Sequence, residues 1–278
     1  MADQIVQIGL IVTGKGEHEF LPAIFQSLGR TGTANFRTIG RTGQRSPITS
    51  KKRLLRMVGD KKIIPTEDEK QIGLPAHFFL QTSEHCCVMV IDDLESAQIE
   101  TAQPKFDRYR LAVDTMLKAF PGMKERASVH FLANMLEAYY FADAWAINQH
   151  LLFPTPLKDC PDDVENIVHP KHELKRMCRE LIGQSFDEVE DGRAILSAIR
   201  MDHVLGRPET CAWLRTLFAW TIEKIIQLHF GLEPSSENLA LLSDAEPDFA
   251  QLIDVYHLQD GIYSEVSGQQ LTFFGKAH

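Results

Sequence analysis

The sequence predicts an α/β protein in which a mostly parallel sheet is flanked by helices and continues into a mainly helical extension. Three observations carry that prediction. Strand-length apolar runs at Ile5 to Val12, Cys86 to Ile91 and Ser128 to Leu132 alternate with stretches of helical spacing, the order that builds parallel sheets. The first run leads through Thr13-Gly14-Lys15-Gly16 into a helix-like stretch, a strand, glycine turn, helix opening. From Leu151 the character changes: Pro154, Pro156, Pro161 and Pro170 punctuate a loop, and helical patterns dominate beyond it. Residues 1–150 therefore read as the α/β core and 151–278 as a helical extension packed on it.

Taken in order, Phe20, Leu21, Ile24, Phe25 and Leu28 recur at helical spacing and predict a helix from about Glu17 to Leu28. Residues 29–47 read as irregular, with a short strand at Phe36 to Ile39, and Ile48 to Val58 as an amphipathic helix. A loop over about 65–77 precedes the Cys86 strand, and a helix begins near Pro104 and runs through Leu117. Met135 to Trp145 reads as a helix, as do Lys171 to Ile182, Ala194 to Val204 and Pro208 to Phe230. The tail from Ile262 to Phe274 alternates around Ser267-Gly268 in the manner of a hairpin.

At 278 residues, 44% hydrophobic and 24% charged, the chain is long enough for one large domain or a core with a sizeable extension. No apolar run approaches the 18 or so residues of a membrane helix, and Met1-Ala2-Asp3-Gln4 lacks the basic start of a secretory signal. The five cysteines are odd in number and two sit inside an apolar strand, which suits reduced core thiols and a cytoplasmic setting. Cys160, His169, His172 and Cys178 match no standard zinc spacing. The net charge of −9 argues against nucleic acid, but its distribution does not. Residues 30–62 hold ten basic side chains against the single acid Asp60. Arg37, Arg41, Arg45, Lys51, Lys52 and Arg56 in that strip are candidates for tracking a phosphate backbone; a solvated basic face is the plainer alternative.

Acids gather where two strands run out: Glu17, His18 and Glu19 after the first, and Asp92-Asp93-Leu94-Glu95 after the second. Ligands of open α/β sheets collect outside the carboxyl ends of the strands, so these acids can converge. Oxygen ligands of this kind suit Mg²⁺ or Mn²⁺ and phosphate chemistry. Gly9 to Lys15 also matches the first seven positions of the P-loop pattern, a minor nucleotide-hydrolase alternative. There, however, the four intervening residues form strand-like sequence and Gly16 stands where the hydroxyl residue belongs.

Together, Val12-Thr13-Gly14-Lys15-Gly16-Glu17, the Asp92-Asp93-Leu94-Glu95 strand end and Met135-Leu136-Glu137-Ala138-Tyr139-Tyr140-Phe141-Ala142-Asp143 resemble the Toprim-like fold of topoisomerases, primases and the overcoming-lysogenisation-defect nucleases. More narrowly, the chain resembles a largely uncharacterised prokaryotic Toprim-like family, through Lys175 to Ile199 and Cys211-x-Trp213-Leu214-x-x-Leu217 as well. The resemblance implies a Rossmann-like sheet, Mg²⁺ or Mn²⁺ bound by acids, and action on nucleic-acid phosphodiesters. An ATPase partner follows only by analogy with those nucleases. Carried across by position, Glu17, Asp92 and Glu137 would be catalytic, and Glu17, Asp92, Asp93 and Glu95 would hold metal. Asp143 and His18 would support them. Two positions depart from the pattern: Thr13 stands where the fold has a glutamate before the glycine, and Asp-Asp-Leu-Glu replaces Asp-x-Asp. Threonine cannot shuttle a proton near neutral pH, so either Glu17, His18 or Glu19 substitutes, or the chain is a non-catalytic binding or regulatory module.

Each acid also has a structural reading. Glu17 and Glu19 suit the first turn of a helix, and Glu137, set among apolar residues, suits a hydrogen bond to a neighbouring strand. Asp92, ending an apolar strand, is the strongest single candidate, whereas alternation lets only some of Asp92, Asp93 and Glu95 point into one site.

Overall fold

The computed structural model describes residues 4–43, 55–58 and 62–263. The strands are β1 (Val6–Val12), β2 (Ala34–Arg41), β3 (Leu55–Val58), β4 (Lys62–Pro65), β5 (Cys86–Leu94) and β6 (Ala127–Ala133). Four of them form one sheet in the order β2-β1-β5-β6, with every pairing parallel. Strands β3 and β4 make a separate antiparallel pair. β5 and β6 are buried along their whole length, as expected of strands covered on both faces.

Parallel neighbours need crossovers, and helices supply them. Between β1 and β2 run α1 (Lys15–Phe20), a 3-10 turn over Leu21–Phe25 and α2 (Gln26–Arg30). A π-helical turn over Glu69–Gly73 leads into α3 (Leu74–Leu80), which precedes β5, and α4 (Ala102–Met116) and α5 (Pro121–Lys124) precede β6. Beyond a 3-10 segment at Leu136–Ala142 come α6 (Ala144–Leu151), α7 (Pro170–Ile182), α8 (Glu190–Ala198) and α9 (Met201–Leu205). The last described elements are α10 (Ala212–Leu228), α11 (Ser236–Ala245), α12 (Pro247–Val255) and α13 (Gln259–Tyr263).

The pleat sorts the core into two layers. Ile11, Val88, Val90 and Phe131 face α3 and α4, where Phe79, Leu80, Phe106, Tyr109 and Val113 cover them. Ile8, Leu10, Val12, Met89, Ile91 and Leu132 face the other way, into one cluster with Leu217, Phe218, Ile222 and Ile225 of α10. The extension thus shares a core with the sheet. Helix α10 is buried nearly all round, so its sequence lacks a polar face. Its buried Arg215 donates to the carbonyls of Leu205, Arg207, Thr210 and Tyr256, tying α9, the loop that follows it and the end of α12 together. Among the described residues no helix is long and apolar enough to cross a membrane.

Several elements differ from the sequence expectation. The strand expected at Phe36 to Ile39 is eight residues long and pairs with β1 at both ends of a register shift that skips Ile39. Of the helix expected over 48–58, residues 48–54 lie outside the described residues, and Leu55–Val58 is a strand, because pairing with β4 overrides local helical spacing. The loop expected over 65–77 is largely helical. Leu136–Ala142 is a 3-10 segment, and only from Ala144 does an α-helix run. The helix expected from Ala194 to Val204 breaks at Ile199 and Arg200, both extended, because the Arg200 amide and guanidinium turn to Asp143. In the tail, Gln259–Tyr263 is helical and residues from 264 lie outside the described region. Gly9 to Val12 belong to β1, so no loop separates Gly9 from Gly14 as a P-loop requires.

Candidate functional site

Because β1, β5 and β6 are adjacent and parallel, their carboxyl ends open on the same edge of the sheet. Asp92 and Asp93 sit there in register with Phe131 and Leu132. They are consecutive in a strand, so they point to opposite faces.

Asp92 turns toward α4 and is 1% exposed. The Thr13 hydroxyl donates to its Oδ1 at 2.6 Å, and the Tyr109 hydroxyl donates to its Oδ2 at 2.8 Å. The Lys105 ammonium pairs with the same Oδ2 and donates to the Asp93 carbonyl at 3.2 Å. Burial, followed by the charge and hydrogen bond of Asp92, drives the Tyr109 phenol upward, so it stays a donor. Both charges of this pair are out of water and each has its partner, the condition under which a buried ion pair is tolerated.

Asp93 turns toward the helical extension and meets Glu17 and Glu137. Burial raises its carboxyl well above the usual range, and the charge and hydrogen bond of Glu17, then the charges of Glu137 and Asp92, push in the same direction. Asp93 Oδ1 and Glu17 Oε2 are buried with no hydrogen-bond donor of the protein in reach. Glu17 reaches this position by folding back over the turn: a Cβ on Gly14 would overlap its carboxylate. Glu137 is carried in from β6 by Asn134 and Met135, whose φ values of 56° and 78° lie in the left-handed half of the map. Met135, with ψ 162°, occupies a region that is strained for any residue with a Cβ. Asn134 is held by its amide, which donates to Leu94 O at 2.7 Å, and by its side chain, which donates to Glu165 O at 2.6 Å.

Lys171 completes this side from the extension. Its Nζ lies 3.5 Å from Glu137 Oε1 and 3.1 Å from Glu188 Oε2. Burial works to lower its pKa, but Glu137, Glu188 and Asp93 outweigh that and raise it. The Glu137 carboxyl is raised chiefly by burial, with Lys171 pulling it down and Glu17 and Glu188 adding to the rise. Lys171 also stands in the first turn of α7, where the helix dipole disfavours a cation, so its place is explained by its acidic neighbours.

The structure therefore brings Glu17, Asp93 and Glu137 together and turns Asp92 away from them. Glu95 follows β5 with extended backbone and is exposed. His18 is exposed as well, and its carbonyl accepts the Thr38 hydroxyl at 2.8 Å. Asp143 is fully buried and binds Arg200 through the amide at 2.8 Å and through two guanidinium nitrogens at 3.1 and 2.6 Å. It forms part of a second group: the ligand atoms of Asp143, Asp159 and His203 lie within 4.8 Å of one another and could hold a metal ion. The ligand atoms of Glu17, Asp93 and Glu137 are not all drawn within that distance of one another. Arg200 and the 2.6 Å contact of His203 with Asp159 already satisfy the second group in part.

Of the basic strip, the Arg37 guanidinium lies 4.9 Å over the Phe79 ring, and Arg41 is exposed beside Val12 at the carboxyl edge of the sheet. Arg45, Lys51 and Lys52 lie outside the described residues, and for Arg56 only the strand backbone is described. Sequence reasoning missed Lys105, Tyr109, Lys171 and Glu188. Two of them carried a signal: Lys105 sits four residues before Tyr109 on the buried face of α4, and Lys171 follows a proline at a helix start.

No curated protein and no solved structure matches the chain. The family model described as a domain of unknown function, DUF4276, matches residues 12–218, from the last residue of β1 into α10. That span holds Glu17, Asp92, Asp93, Glu137 and Lys171 and exceeds half of the chain, so this protein belongs to the DUF4276 family.

Proposed function

We propose that the protein binds a divalent cation, Mg²⁺ or Mn²⁺, through Glu17, Asp93 and Glu137 and acts on nucleic-acid phosphodiesters in the cytoplasm. The observation that carries this reading is the pair of buried, donorless oxygens, Asp93 Oδ1 and Glu17 Oε2, on two side chains that meet where β1 and β5 run out. Adjacent buried carboxylates cannot all ionise without a countercharge, and a hard cation with oxygen ligands supplies one. When bound, such an ion polarises a phosphoryl oxygen and makes water more acidic. The chain's own residues do the rest. Lys171, cationic and partly open, turns toward a phosphate oxygen, and Arg41 on the same edge holds the backbone. The strip from Arg37 to Lys62 extends that hold, and binding weakens with salt. The resemblance to Toprim-like proteins supports the same chemistry.

A second reading, a non-catalytic nucleic-acid-binding or regulatory module, is favoured by one observation. The Thr13 hydroxyl is committed to Asp92 and takes no proton from a substrate. Incubation of the protein with single-stranded and duplex DNA and RNA, with Mg²⁺, Mn²⁺ or chelator, separates the two. Ion-dependent cleavage that Asp93→Ala abolishes supports the enzyme. Salt-sensitive binding without cleavage supports the module, and cleavage that survives Asp93→Ala overturns the site.

A further inference from the structure

We infer that the Lys105 ammonium is a resident cation that keeps Asp92 out of the ion site, so that the carboxyl end of β5 takes one divalent ion, on its Asp93 side, and no second. The inference rests on the proposed ion site at Glu17, Asp93 and Glu137, and specifies how many ions that site holds and which acid of the pair is excluded.

Both oxygens of Asp92 are engaged, Oδ1 by Thr13 at 2.6 Å and Oδ2 by Tyr109 at 2.8 Å and by Lys105. The side chains of the ion pair are 2% and 0% exposed, so the ammonium has no water into which it could swing to admit a metal. Lys105 is fixed further by the Asp93 carbonyl at 3.2 Å and by the Phe131 ring, 5.9 Å from its nitrogen. A dication on Asp92 would have to displace this ammonium or lie beside it, and both cost heavily in a buried setting.

The charges agree with the donors. On the α4 side one carboxylate meets one ammonium, and the hydroxyls of Thr13 and Tyr109 add hydrogen bonds without charge. On the other side three carboxyls face a single lysine that Glu188 also holds, and two oxygens lack any donor. The demand for a cation is therefore one-sided. Thr13 belongs to the same arrangement: a glutamate there would set a second negative charge against Asp92, which one ammonium could not balance, whereas a hydroxyl fits.

Mn²⁺ binding to the full chain, counted by EPR and calorimetry, tests this. Wild type should bind one ion at the site, Asp93→Asn should weaken it at least tenfold, and two changes on the α4 side should leave it within threefold. These are Tyr109→Phe, which removes one donor from Asp92, and Asp92→Asn with Lys105→Met, which removes the ion pair as a neutral unit. Circular dichroism establishes that each variant is folded, and Tyr109→Phe carries the test should the double variant unfold. A second ion in wild type that Asp159→Asn does not remove from the other acidic group, or loss of the ion in a folded α4-side variant, overturns the inference and leaves the ion reading standing. No ion in wild type overturns both.

Discussion

Asp92 and Asp93 are neighbours in one strand, both buried, and yet their surroundings differ in kind. The pleat turns Asp92 onto α4, where an ammonium and two hydroxyls meet it, and turns Asp93 onto the helical extension, where the nearest charged groups are other acids. The first arrangement is complete without anything from outside. The second is not, and an enclosed group that folding leaves unsatisfied is a mark of a site rather than of a scaffold. Acidity alone therefore does not locate the site; what locates it is where two acids with donorless oxygens, Asp93 and Glu17, meet.

The largest expected effect breaks the complete side. Lys105→Ala leaves Asp92 buried without its countercharge and should cost about 3–5 kcal/mol in urea unfolding. Asp92→Asn with Lys105→Met should cost far less, since both charges leave together. A loss in the double variant as large as in the single one would show that shape, not charge, holds this side.

The next change sharpens the contrast on the incomplete side. Asp93→Asn should stabilise the ion-free protein by about 1–3 kcal/mol at neutral pH, because an amide can donate where a carboxylate cannot. The sign follows from linkage. The folded protein holds the Asp93 proton to higher pH than the unfolded chain, so its stability falls as pH rises above 3.8, the ordinary aspartate value, toward the raised one. The advantage of the variant should therefore shrink as pH is lowered toward 4 and reverse when Mn²⁺ is added. An advantage that does not change with pH would place the effect elsewhere.

Lys171→Ala should change stability by less than about 1 kcal/mol, since the ion pair is partly open to water. Substrate affinity or turnover should nonetheless fall at least about tenfold, or 1.4 kcal/mol; an unchanged kcat/KM would remove Lys171 from the proposed phosphate contact. The smallest effect concerns the approach to Glu137. Met135→Gly should relieve backbone strain and raise stability by about 1 kcal/mol, as read from the midpoint of thermal unfolding.

Much of the fold was legible locally. β1, β5 and β6 are apolar runs whose burial is their composition, and α4 and α7 show helical spacing in isolation. β2 and β3 were not legible to their full extent, because Ala34, Asn35, Gly40 and Arg41, or Leu55 to Val58, become strand by pairing with a neighbour. The break at Arg200 was invisible for a similar reason, since Asp143, 57 residues away, makes it. At the site, the sequence by itself placed acids directly after two apolar strands, where a parallel sheet lets them converge. It favoured Asp92 because a charge ending an apolar strand needs a partner; it did not show that Lys105, thirteen residues on, is that partner. Only the tertiary structure decided which acid is satisfied, because α4 brings Lys105 and Tyr109 to one face while α7 and Glu137 come to the other. Burial and partnership are properties of packing between elements distant in sequence, and they decide whether a carboxylate is part of the scaffold or awaits a ligand.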